Sequence, residues 1–109
     1  MSGGATRRLQ AADLPAWLQA HPGALLLDAR DAAAHAQACL PGSPHLDGRY
    51  HEALLLCEPR TRPLLVYCYH GHASLAHAQM FRDFGFTAVC DLAGGWAAWL
   101  AWQPASARP

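Results

Sequence analysis

Three short apolar runs divide the chain. Leu25-Leu26-Leu27 and Leu64-Leu65-Val66-Tyr67 are continuous, and Thr87 to Cys90 is a third run of small and branched residues. Runs of this length suit strands buried on both faces. Helical segments lie between them. Asp13 reads as an N-cap, with Leu14-Pro15 in the first turn and Trp17 and Leu18 facing inward, before His21-Pro22-Gly23 stops the helix. Ala32 to Ala38 is alanine-rich and predicted helical, Leu40-Pro41-Gly42-Ser43-Pro44 is a turn region, and Tyr50 to Cys57 is a further helix. From Ser74 to Phe84 the pattern is helical again, closed by Gly85; Ala73, Ala76, Met80, Phe81 and Phe84 share one arc of the wheel. Gly94-Gly95 introduces a last helix carrying Trp96, Trp99, Leu100 and Trp102. Strands alternating with helices imply an α/β sandwich around a mainly parallel sheet.

At 109 residues the chain suits one domain. Residues 1–8 read as a flexible leader, 9–103 as the domain and 104–109 as a flexible tail. The net charge is zero with histidine neutral, so no basic field exists for nucleic acid or an anionic membrane. No apolar stretch is long enough to span a bilayer, and the two arginines near the N-terminus lack the apolar segment of a secretory signal. A cytoplasmic protein with free thiols at Cys39, Cys57, Cys68 and Cys90 is expected. There is no lysine, which removes Schiff-base and P-loop chemistry, and no CxxC pair for a structural zinc or redox dithiol.

Cys68 carries the chemistry. It is the first residue after a predicted buried strand, and a helix begins about six residues later. A short loop there aims its backbone N–H groups and the positive end of the following helix at one spot. Gly71 lets the loop curl through positive φ. The product is an anion-binding cradle with a sulfur at its base, where the thiolate is favoured. A lone cysteine at a strand end is often only a core residue; the polar loop Tyr69-His70-Gly71-His72 argues against that here. Cys39, Cys57 and Cys90 lack this context.

Leu64 to Ser74, LLVYCYHGHAS, resembles the strand and active-site loop of the single-domain rhodanese family, and is most similar to bacterial thiosulfate sulfurtransferases of the GlpE type. Three more segments resemble the family in order: LLLDAR at Leu25 to Arg30, Leu40-Pro41-Gly42-Ser43, and Gly94-Gly95-Trp96-Ala97-Ala98-Trp99. Together they cover residues 9 to about 102. The departures are Ala38-Cys39 where the family usually has Gly-His, His35 at a commonly aromatic position, and His72 where a small polar residue is common.

The resemblance implies a rhodanese-like three-layer sandwich, α/β, with helices on both faces of a mainly parallel central sheet. It implies double displacement: Cys68 takes the outer sulfur of thiosulfate, sulfite leaves, and the Cys68 persulfide passes its sulfur to cyanide or to a thiol or dithiol acceptor such as a thioredoxin-like protein. Tyr69, His70, Gly71, His72, Ala73 and Ser74 would bind substrate, the backbone amides stabilising the anion and Ser74 capping the helix or donating its hydroxyl. No metal or organic cofactor is implied. Asp28 and Arg30 are candidates for a supporting role, weighed against an ordinary ion pair at the strand end. The Cys68-x-His70-x-His72 spacing is a poor zinc set for so tight a loop. His77 is read as a packed, hydrogen-bonded core histidine. A persulfide carrier in a sulfur relay is the main alternative. A phosphatase or arsenate reductase would need an arginine six positions after the cysteine, where Ser74 stands.

Overall fold

The computed structural model describes residues 7–102. Of the expected leader, residues 1–6 lie outside the described residues, as does the whole expected tail. Arg7 and Arg8 do not belong to a leader; with Leu9 they form β1 (Arg7–Leu9). A 3-10 turn over Ala11–Asp13 leads into α1 (Leu14–Ala20), and β2 (Leu25–Asp28), α2 (Ala32–Gln37) and α3 (Gly48–Cys57) follow. The second half holds β3 (Leu64–Tyr67), α4 (Ala73–Asp83), β4 (Val89–Leu92) and α5 (Gly95–Trp102). All strand pairs are parallel, in the order β1-β4-β3-β2. The expected three-layer α/β sandwich is the fold observed.

The pleat divides the core in two. Leu27, Leu64, Val66 and Val89 point to one face, where they meet Leu54, Leu55, Ala78 and Phe81 from α3 and α4. Leu26, Leu65, Tyr67, Cys90 and Leu92 point to the other, against Leu14, Trp17, Trp96 and Trp99 of α1 and α5. This alternation is the period of two expected when both faces of a strand are covered.

Several helix ends are set by side chains. Asp31 caps α2 by accepting the Ala34 N–H at 2.8 Å, and Asp47 caps α3 by accepting that of Tyr50 at 2.8 Å, so α3 starts two residues before the predicted Tyr50. Asp13 sits at the cap position of α1 but makes no capping bond; the preceding 3-10 turn holds its backbone in the helical region, at φ −93° and ψ −6°, rather than in the extended form a capping residue takes. The third strand is Val89–Leu92 rather than Thr87 to Cys90. The Phe86 N–H closes α4 onto Phe81 and the Thr87 N–H bonds Arg60, so neither is available to the ladder. The helical arc read for α4 is also corrected. Met80 and Phe84 are about half exposed, and the buried face is Ser74, Ala78 and Phe81. The helix is rotated to turn Ser74 toward Cys68, which leaves two large apolar residues outside.

His77 is half-buried on this face and its partner is another histidine. The Nδ1 atoms of His77 and His51 lie 3.2 Å apart, and His51 stacks on Phe81 at 4.4 Å between ring centres. One nitrogen must donate and the other accept, so the pair requires a neutral ring. Burial holds both pKa values below the usual histidine value, and His77 adds repulsion at His51. Depressed folded-state values mean that the unfolded chain binds more protons once pH falls below about 6.5. Stability is therefore expected to be level above neutrality and to decline as pH drops through the depressed values. Urea midpoints at pH 7.5 and 5.5 measure this, and His77→Leu should shrink the difference between them.

Candidate active site

Cys68 follows β3, a central strand buried at every position. The residue is 4 % exposed. The sulfur accepts the Gly71 N–H at 3.2 Å and the Ser74 N–H at 3.3 Å, with the Ser74 hydroxyl 3.4 Å away. Gly71 turns the loop at φ +87°. Burial pushes the Cys68 thiol up, but the Ser74 hydroxyl and the amides of Ser74, Gly71 and His70 outweigh it, so its pKa lies below the ordinary cysteine value. Ser74 does not cap the helix, as α4 begins at Ala73 with His72 at the cap position. The serine is fully buried beside the sulfur instead, its hydroxyl accepting from the Cys68 thiol and able to donate to the thiolate.

The loop is held from outside by a helix distant in sequence. The first turn of α5 donates the Trp96 N–H to the Cys68 carbonyl at 2.8 Å and the Ala97 N–H to the Tyr69 carbonyl at 3.0 Å. This contact explains Gly95: a Cβ there would collide with the Cys68 and Tyr69 carbonyls, and its φ of +62° suits glycine.

A cavity of about 320 Å³ opens in front of Cys68, lined also by Ala29, Arg30, Asp31, Tyr69, His70 and Ala73. His72 completes the lining, and both histidines of the loop are exposed. Among the described residues no three His, Cys, Asp or Glu side chains converge as metal ligands. The Tyr69 hydroxyl donates to Asp31 at 2.9 Å. Beyond that bond lies a second cavity of about 380 Å³, which shares Arg30, Asp31 and Tyr69 and adds Gln37 and Trp96.

Asp28 and Arg30 form a buried ion pair, with Nε and Nη2 of Arg30 at 3.0 and 2.7 Å from the carboxylate. Arg30 also donates to the Ala38 carbonyl, and its guanidinium lies 4.5 Å above the Trp96 ring. The hydrogen bonds to Asp28 raise the Arg30 pKa further, against its burial. Arg30 thus reaches the cavity wall with its charge already committed, while Asp28 stays behind it as counter-ion.

Sequence reasoning missed Arg8, Asp91, the docking of α5 on the loop and the Tyr69–Asp31 bond. Asp91 did leave a signal, because a carboxylate between Cys90 and Leu92 in a buried strand must have a partner.

A sequence model described as the Rhodanese-like domain matches residues 10–101. The chain is 36 % identical over 77 residues to thiosulfate sulfurtransferase GlpE of Stutzerimonas stutzeri, covering 71 % of each protein. It is 35 % identical over 88 residues to that of Pseudomonas putida, covering 81 % of this chain and 80 % of the relative. Its fold is similar to a human single-domain sulfurtransferase, with TM-score 0.75 and 23 % identity over 89 % of this chain and 97 % of that one. The rhodanese-like domain of an Anabaena protein superposes at TM-score 0.75 with 23 % identity, over 94 % of this chain and 87 % of that one.

The hydrogen bonds to sulfur have a direct readout. Iodoacetamide alkylation of Cys68 should titrate with a midpoint below that of an unperturbed thiol, about 8.5. Ser74→Ala removes one donor to a charged acceptor, so the midpoint should rise and the rate at pH 7 fall by roughly tenfold. Quantifying the alkylated peptide across pH checks both.

Proposed function

The chain belongs to the rhodanese-like sulfurtransferase family, and from that premise we propose that it moves the outer sulfur of thiosulfate through a persulfide on Cys68. The observation that carries this reading is the Cys68 sulfur at the end of a central strand, facing two inward backbone amides and the Ser74 hydroxyl. Its relatives named thiosulfate sulfurtransferase support the choice of donor.

In the first step the Cys68 thiolate attacks the outer sulfur of thiosulfate. A new S–S bond forms, the original S–S bond breaks, and sulfite leaves with the electron pair. In the second step an acceptor attacks the outer sulfur of the persulfide and Cys68 departs as thiolate. Cyanide yields thiocyanate. A thiolate yields its own persulfide, and a dithiol can then close to a disulfide, releasing hydrosulfide. The amides and the Ser74 hydroxyl stabilise the departing Cys68 thiolate without reorganisation. His70, His72 and Ala73 frame the mouth through which donor and acceptor enter, Tyr69 forms one wall, and buried Gly71 contributes its N–H to the sulfur. The sulfur itself is the only group that changes covalently, so no metal or organic cofactor takes part.

The acceptor we propose is a thiol or dithiol, with a thioredoxin-like protein as one candidate, in the cytoplasm. No described helix is long and apolar enough to cross a membrane, and none of the four cysteines, all among the described residues, is in a disulfide. A phosphatase reading is disfavoured by the site's own charges. The arginine on the cavity wall, Arg30, is engaged by Asp28, and position 74 carries serine. Phosphoryl transfer would lack its bidentate cation.

Thiosulfate should add one sulfur atom to the protein, mapping to Cys68 by peptide mass spectrometry. Cys68→Ser should abolish the adduct and thiocyanate formation, whereas Cys39→Ser, Cys57→Ser and Cys90→Ser should keep both. Aryl phosphates should not be hydrolysed appreciably. A persulfide on another cysteine, or Cys68-dependent phosphatase activity without sulfur transfer, refutes the reading.

A further inference from the structure

We propose that Arg8 is a positioning residue of the active-site loop: seated on the buried Asp91 carboxylate, its guanidinium holds the Gly71 carbonyl outward and so fixes Gly71, whose N–H donates to the Cys68 sulfur, in the loop. The proposal concerns the site assigned above to sulfur transfer and deepens that reading.

Arg8 and Asp91 are paired residues of β1 and β4. Both Nε and Nη2 of Arg8 reach Asp91 Oδ2, at 3.0 and 2.7 Å. Nη2 also donates to the Gly71 carbonyl at 2.7 Å. Asp91 is fully buried, and its Oδ1 has no hydrogen-bond partner among the described residues. A buried carboxylate is unfavourable unless paired. Asp91 therefore holds the guanidinium at this place, although the arginine side chain is 40 % exposed and loses conformational freedom there.

The contact falls where the loop is tightest. A Cβ on Gly71 would stand 2.9 Å from Arg8 Nη2 and 2.8 Å from the Gly94 nitrogen. Glycine here thus serves two needs, the positive φ and the close approach of Arg8. The N–H of Gly71 donates to the Cys68 sulfur. Its carbonyl belongs to the next peptide unit, in which a trans amide points the His72 N–H the opposite way from the carbonyl. Anchoring that carbonyl on Arg8 fixes the orientation of this peptide and, through the Gly71 Cα that it shares with the preceding peptide, the direction in which the Gly71 N–H meets the sulfur. A pair that served only to fasten the edge strand would need no third contact on the loop.

Three variants test this: Arg8→Met, Arg8→Lys, and Arg8→Met combined with Asp91→Asn, which removes the buried charge along with its partner. The readouts are the pH midpoint of Cys68 alkylation, kcat and KM for thiosulfate with cyanide, and the thermal midpoint. Arg8→Met should lower kcat/KM about tenfold or more and raise the alkylation midpoint. The double variant should keep the raised midpoint, because the Gly71 carbonyl still lacks its donor. Arg8→Lys should recover part of the loss. The other titratable and charged groups near the thiol, His70 and His72 on the loop and Arg30 and Asp31 across the cavity, are unchanged in all three.

A folded double variant with the native midpoint and native kcat/KM overturns the proposal, even if its thermal midpoint falls. In the unmodified protein, the Arg8 Nε–H resonance should shift as Cys68 titrates, and a resonance indifferent to that titration also overturns it. The alkylation readout uses no thiosulfate. If the native protein fails to turn over thiosulfate while the midpoints move as expected, the role of Arg8 stands and the sulfur-transfer reading falls.

Discussion

A loop that turns its N–H groups inward must turn its carbonyls outward, and each outward carbonyl then needs a donor. This constraint ties the site to the rest of the molecule. The Cys68 and Tyr69 carbonyls are satisfied by the first turn of α5, and the Gly71 carbonyl by Arg8 of β1. The His72 carbonyl accepts the Leu75 N–H at 3.2 Å as α4 begins. Of the amides that favour the thiolate, that of His70 shares its peptide with the Tyr69 carbonyl held by α5, while the anchored carbonyls of Cys68, Gly71 and His72 fix the neighbouring peptides of the loop, with donors from α5, β1 and α4.

The buried charges follow a similar logic. Asp28 and Asp91 both lie in strands and are fully buried, and each is matched by an arginine that also reaches a backbone carbonyl. Arg30 secures Ala38, at the end of α2, and Arg8 secures Gly71. Neither pair need add much net stability, since desolvation offsets the attraction. Their value is geometric, because a planar guanidinium with fixed donors orients what it touches. Tyr67 plays the neutral counterpart. Its hydroxyl accepts the Leu40 N–H at 3.1 Å and lies 2.8 Å from Ser43, securing the turn that joins α2 to α3, and burial pushes its pKa up to about 12.

Much of this arrangement was legible in the sequence, and the exceptions have physical causes. The runs at Leu25 and Leu64 announced buried strands because both faces of the sheet are covered. Cys68 stood out because a polar loop and a glycine follow it directly. β1 was invisible because it has three residues, two of them arginines, and its strand character comes only from pairing with β4. The rotation of α4 was hidden because its inner face is made of Ser74 and Ala78, small residues that hydropathy undervalues, while Met80 and Phe84 stay outside. Gly94-Gly95-Trp96 signalled a helix start, but its hydrogen bonds to residues 68 and 69 cross a sequence gap that no local pattern records.

The docking of α5 has a consequence for the timing of synthesis. A ribosome produces Cys68 well before residues 95–102, so for that interval the carbonyls of residues 68 and 69 have no helix to hold them. The loop around Cys68 then lacks the brace that holds two of its carbonyls. The bracing of the loop is completed only by the last described helix. A chain that stalls or is cut before that point keeps its cysteine loop but is missing the helix that clasps it from outside.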